Sequence, residues 1–189
     1  EKMLVFKKKK FQSFTGWIFP HATIPNKQGG DIDVLAYRDK YLFVIQVKNG
    51  SFSDGIRQAS YIEDKQLMNQ AIAAFGKIDV LINNAGGSLH TPFNFLKQSK
   101  EDWERVFNLN LMLTVKLTQL VIPLMIDRQY GRIINIGSKA GRYGSLFAGA
   151  NYVAAKGAIH ALTLQLAQEF GPQGITCNAI CPGAVMTPR

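Results

Sequence analysis

Tyr152 and Lys156 stand four residues apart in Tyr152-Val-Ala-Ala-Lys156, and Ser138 precedes the tyrosine by fourteen positions. In a helix, residues four apart share a face, about one turn from each other. An ammonium held beside a phenol favours the phenolate and draws its pKa down from an ordinary value near ~10. Such a phenol gives and takes protons at neutral pH. The chemistry this suits is redox exchange on an alcohol or a carbonyl.

The surrounding pattern predicts the elements that hold these residues. Residues 31–37 and 41–48 are β-rich and joined by Arg38-Asp39-Lys40, which reads as an antiparallel hairpin. A helix is expected over 56–75, with Ser53 or Asp54 as cap and Gly76 as stop. A short strand, 78–82, runs into Asn83-Asn84-Ala85-Gly86. Ser99-Lys-Glu-Asp102 opens a long helix to about Arg128 as an imperfect capping box, with Pro123 kinking or interrupting its end. Strand 132–136, a Gly-rich loop from Gly137 to Gly149, helix 151–170 and strand 174–180 follow, ending at Pro182-Gly183. From residue 41 the order is βαβαβαβ. That order predicts an α/β fold with a doubly wound parallel sheet and helices on both faces. In such sheets the site lies beyond the carboxyl ends of the strands. Asn83–Gly86, Ser138 and Pro182-Gly183 all fall there.

Residues 59–189 resemble the short-chain dehydrogenase/reductase family. The resemblance is carried by Phe75-Gly76-Lys-Ile-Asp-Val-Leu-Ile-Asn83-Asn84-Ala85-Gly86, Asn110, Ile136-Gly137-Ser138, Tyr152-x-x-x-Lys156 and Asn178-Ala-Ile-Cys-Pro182-Gly183. It implies a Rossmann-type fold and an NAD(P)-dependent oxidoreductase acting on a small alcohol or carbonyl. Tyr152 would exchange the proton with the substrate oxygen, and Lys156 would hold the phenolate and the nicotinamide ribose. Ser138 would hydrogen-bond the reacting oxygen. Asn110 would interrupt the helix ladder and hold a water for proton relay. Asn84, Ala85 and Gly86 would pass the adenosine side of NAD or NADP, and Pro182, Gly183 and Thr187 would meet the nicotinamide and its phosphate. Helices 101–127 and 151–170 would build a homo-oligomer interface. Leu109, Leu111, Leu113, Val115 and Leu117 cannot all face one sheet, which fits such burial.

The family's Gly-x-x-x-Gly-x-Gly phosphate loop does not occur in this sequence. Both ends look cut, and cofactor binding is expected to be weak or absent. Gly137-x-x-x-Gly141-x-x-Gly144 imitates a phosphate loop but opens no immediate helix, and reads as loop flexibility. His90 and His160 lack partners at useful spacing and read as structural. Residues 1–58 form a separate basic segment, and within it Gly29-Gly30-Asp-Ile-Asp33 and Gln46-Val47-Lys48, in residues 29–50, weakly resemble a nuclease core of the PD-(D/E)xK type. There Asp33 would hold Mg²⁺, while Gln46 and Lys48 share the end of the following strand. Under that alternative the chain would be a Mg²⁺-dependent DNA endonuclease, or a chimera whose hairpin takes the place of lost nucleotide-binding strands.

The 189 residues carry a net charge of +9, with ten basic and five acidic residues in the first 58. That charge permits contact with nucleic acid without establishing it. Hydrophobic residues make up 47% and charged residues 19%, which is the composition of a globular chain rather than a disordered one. Cys177 and Cys181 give neither a disulfide framework nor a zinc site and read as packing residues. No signal peptide or membrane span is expected, and the cytoplasm is the default location.

Overall fold

Residues 78–82 are apolar at every position but Asp79, the mark of a strand covered on both faces. In a computed structural model of the chain the strand spans Val80–Asn83 and lies inside a sheet. The structure describes the backbone of residues 17–20, 32–38 and 41–47, residues 69, 72 and 73, and all of 76–184. The strands are β1 (Trp17–Pro20), β2 (Ile32–Arg38), β3 (Tyr41–Val47), β4 (Val80–Asn83), β5 (Gly131–Ile136) and β6 (Ile175–Ile180). β4, β5 and β6 run parallel, with Val80 opposite Arg132, Asn83 opposite Asn135, and Gly131 opposite Ile175. On the other side of β4 the backbone ladder passes to β3 and then antiparallel through β2 to β1, with Asp33 opposite Gln46.

The expected helix before β4 is described only at residues 69, 72 and 73, which are helical. It stops as expected. Gly76 takes φ +67 and its N–H donates to the Ile72 carbonyl at 2.7 Å. A left-handed residue of this kind is cheap only for glycine.

The first long helix is α1 (Lys100–Phe107), a π-turn (Asn108–Met112) and α2 (Leu113–Ile126) in succession. Its start is a complete capping box. Asp102 N–H donates to Ser99 Oγ and Ser99 N–H donates to Asp102 Oδ2, each at 3.1 Å. The shorter Asp thus closes the box that the sequence marks as imperfect. Pro123 does not stop the helix, which continues to Ile126. Leu113, Leu117, Val121 and Met125, four apart, press into the core with Leu81, Ile133, Ile175 and Cys177. Leu109 joins them, while Leu111 and Val115 stay half-buried on another face. By length and composition Lys100–Ile126 is the one helix among the described residues able to cross a membrane, and half of its apolar window is buried inside the protein.

α3 (Ala140–Tyr143) is a single helical turn inside the Gly-rich loop, where the sequence suggested none. Gly141 has a packing reason. A Cβ there would lie 2.6 Å from Gly157 N and from the Lys156 carbonyl carbon. α4 (Ala150–Phe170) buries Asn151, Ala155, Ile159 and Thr163 along one face, together with Lys156. At the far end of the sheet, Asp79 is buried between Lys77, at 3.0 Å, and Arg128. A buried carboxylate needs such partners.

Candidate active site

The parallel strands deliver the candidate residues to their carboxyl edge. β4 ends in Asn83 and passes into Asn84, Ala85 and Gly86. β5 ends at Ile136, two residues before Ser138, and β6 runs through Asn178 to Ile180 and passes into Cys181 and Pro182. α4 then lays Tyr152 and Lys156 across these ends.

Lys156 is 3% exposed, and its Nζ donates to the Ile136 carbonyl at 2.7 Å. The ammonium lies 5.9 Å from the centroid of the Tyr152 ring, within cation–π range. A Cβ on Gly86 would come within 2.9 Å of Lys156 Nζ and 2.7 Å of Asn110 Oδ1. Gly86 therefore marks the point where β4, the first long helix and α4 converge.

Asn110 sits in the π-turn and is 1% exposed. Its Nδ2 donates to the Val106 carbonyl and to the Gly87 carbonyl, both at 2.9 Å, and its Oδ1 accepts from Gly87 N–H at 3.0 Å. The side chain thus takes over a backbone carbonyl that the widened turn leaves over and grips the loop after β4. π-turns of this kind gather at functional sites.

Ser138 is half-buried. Its Oγ accepts from Ala140 N–H at 3.1 Å, and no bond from its hydroxyl occurs among the described residues. Lys139 N–H donates to the Pro182 carbonyl at 2.9 Å, which holds the Ser138 loop against the end of β6. Pro182 and Gly183 are exposed. Thr187, Lys48 and the side chains of Asp33 and Gln46 lie outside the described residues. Among those described, no three His, Cys, Asp or Glu residues gather as a metal site.

Two arrangements escaped the sequence. The first is His160, one turn beyond Lys156. Its Nε2 accepts from Ser138 N–H at 3.4 Å and lies 3.2 Å from Cys181 Sγ. A Cβ on Gly137 would overlap this ring nitrogen. Burial, then Arg142 and Lys156, hold the imidazole below its ordinary value of 6.5. A neutral ring keeps the lone pair that Ser138 N–H needs. Position i+4 from Lys156 was the available signal, but nothing in the sequence points to Ser138 or Cys181 as partners. Cys177 is instead sealed in the core, where burial outweighs a hydrogen bond from Asn135 and pushes its thiol up to about 11.

The second is a polar crossbar through the sheet. Asn83 Nδ2 donates to Asn135 Oδ1 at 2.9 Å and to Thr118 Oγ1 at 3.2 Å, and Asn135 Nδ2 donates to Thr163 Oγ1 at 2.9 Å. Asn83 thereby ties β4 to β5 and α2, while Asn135 ties β5 to α4.

Residues 56–189 match the family model described as short chain dehydrogenase. The chain belongs to the short chain dehydrogenase family. It is 38% identical over 129 residues to an acetoacetyl-CoA reductase of Cupriavidus necator, covering 68% of this chain and 51% of the relative. It is 41% identical over 125 residues to a 3-oxoacyl-[acyl-carrier-protein] reductase of Synechocystis, covering 66% and 49%. It is 42% identical over 121 residues to a 2,3-dihydroxy-2,3-dihydro-p-cumate dehydrogenase of Pseudomonas putida, covering 64% and 46%. The chain spans about half the length of these curated relatives. Within the short chain dehydrogenase family, the parallel sheet with helices is the expected Rossmann-like architecture.

Proposed function

We propose that this short chain dehydrogenase is an NAD(P)-dependent oxidoreductase that interconverts a small alcohol and its carbonyl. The observation that carries the reading is the convergence of Asn110, Gly86 and Lys156 beneath Tyr152 at the carboxyl edge of the sheet. The relatives support the reaction type through their own names, two of which are reductases and one a dehydrogenase.

In the reducing direction, Tyr152 Oη gives its proton to the carbonyl oxygen as that oxygen gains charge, and it takes the proton back in the reverse direction. Lys156 places a fixed positive charge beside the ring that becomes negative. Ser138 Oγ donates its proton to the same substrate oxygen. Asn110 holds the π-turn open, where a water can return a proton by way of Lys156.

The donor set fits the nicotinamide end of a dinucleotide. A buried ammonium next to a side chain-free Gly86 suits ribose hydroxyls, and Asn84, Ala85, Pro182 and Gly183 line the same edge. A bound nicotinamide supplies the hydride. No Gly-x-Gly occurs in the sequence to cradle the pyrophosphate, so weak dinucleotide binding is part of the proposal. The antiparallel pair β2–β3 is proposed to continue the sheet beyond β4. Its support is the backbone register of Phe43 opposite Val80 and Ile45 opposite Ile82.

The test is isotopic. The chain is mixed with acetoacetyl-CoA and reduced dinucleotide carrying deuterium at the transferable nicotinamide position. Deuterium on the hydroxyl-bearing carbon of the product is the expected result. Consumption of dinucleotide without deuterated product would count against the proposal.

A further inference from the structure

α4 begins without a side-chain cap, since its N-cap is Gly149. The first turn is held by the residue just before the tyrosine. Asn151 is 0% exposed. Its Oδ1 accepts from Tyr152 N–H at 2.8 Å. Its Nδ2 donates to Thr91 Oγ1 at 3.2 Å and to the Asp102 carbonyl at 3.3 Å. Its own N–H donates to Gln98 Oε1 at 3.3 Å, and Gln98 Nε2 donates in turn to the Pro92 carbonyl at 2.7 Å. The Thr91 hydroxyl has the Ser88 carbonyl at 3.0 Å and Asn151 Oδ1 at 3.3 Å as acceptors for its one proton.

Three segments distant in sequence therefore meet on one amide: the loop after β4, the start of α1 and the first turn of α4. The space is closed to anything larger. A Cβ on Gly149 would overlap Gln98 Nε2 and come within 2.8 Å of Asn151 Oδ1. Helix-terminal N–H groups ordinarily find water or a cap, and a fully buried amide with both its ends engaged is an expensive way to satisfy one of them. Fixing the direction of the neighbouring side chain gives that arrangement a use.

We infer that Asn151 is a positioning residue for Tyr152. It locks the first turn of α4 to the loop that carries Asn84–Gly86, so the phenol and that loop keep one mutual geometry. The inference deepens the proposed oxidoreductase reading and rests on it for the consequence in catalysis. A misplacement of about 1 Å at a reacting group costs on the order of a hundredfold in rate.

The experiment uses the full chain with ¹³C-labelled tyrosine, Tyr152 being assigned by its loss in Tyr152→Phe. Asn151→Ala and Thr91→Val are compared with wild type. The Tyr152 ring signal is expected to move toward that of free tyrosine in both variants, while the other five tyrosines hold their positions. With acetoacetyl-CoA and reduced dinucleotide, kcat is expected to fall by about tenfold or more with KM within about twofold. Thr91→Val removes one hydroxyl and keeps the bulk, so it carries the test if Asn151→Ala fails to fold. An unmoved Tyr152 signal in Thr91→Val, or a kcat equal to that of wild type in an active enzyme, overturns the inference. A shifted Tyr152 signal in a chain that shows no turnover even as wild type sinks the oxidoreductase reading instead, and leaves the positioning in place.

Discussion

Lys156 is the residue on which most of the site depends. Its ammonium is buried, bound to the Ile136 carbonyl and close to both Gly86 and the Tyr152 ring. Lys156→Met keeps most of the stem and removes the charge. It leaves the Ile136 carbonyl short of that donor, at about 1–3 kcal/mol, so the melting temperature should fall along with turnover. Tyr152→Phe should behave differently. No hydrogen bond from its hydroxyl occurs among the described residues, so stability should stay within about 0.5 kcal/mol by chemical denaturation. His160 brings a pH dependence. Its folded pKa lies below the ordinary 6.5, so the unfolded chain takes the proton more readily. Its contribution is complete above that value and is lost as pH falls below it, until the folded imidazole also titrates. Melting temperature should therefore drop on mild acidification more steeply in wild type than in His160→Gln. An equal drop in both would show that the Ser138–His160 contact does not titrate as described. Spacing picked out Tyr152 and Lys156 with Ser138 fourteen residues before, while Asn110 and the role of Ser138 came from the resemblance to the short-chain dehydrogenase/reductase family. His160 and Asn151 were missed because their partners lie 21 to 60 residues away and follow no period.

The elements were legible where local chemistry sets them. The strands at 80–83, 131–136 and 175–180 match their apolar runs, and Gly76 stops its helix where expected. The Gly-rich loop was misread. Its glycines look like a flexible stretch, yet Gly141 lets α3 settle directly on the backbone of Lys156 and Gly157. That contact belongs to tertiary packing, which the sequence of the loop does not encode by itself. Gly141→Ala should consequently lower the melting temperature and disturb the Lys156 carbonyl region, whereas Gly144→Ala faces open space and suffers only from its φ of +74. Circular dichroism melts of the two variants distinguish close packing from backbone strain: a larger loss at Gly141 supports the packing account. The capping box gives a smaller, separable effect. Ser99→Ala should cost about 1 kcal/mol through the loss of the bond from Asp102 N–H, read as a shift in the denaturation midpoint.

At the scale of the molecule, one sheet edge collects residues from three strands and two helices, and the family membership explains why they meet. The sequence also carries more apolar helix surface than this fold covers, with Leu164 and Met112 exposed on the two long helices. We propose that a second copy packs there. We propose that Tyr152 is the proton donor of a carbonyl reduction. The most direct measurement is the turnover of acetoacetyl-CoA by wild type and Tyr152→Phe side by side, at millimolar reduced dinucleotide to offset weak binding. Slow turnover by wild type is expected, with a loss on the order of 10²-fold or more in Tyr152→Phe and both proteins equally stable. Rates that cannot be told apart between the two would contradict the proposal.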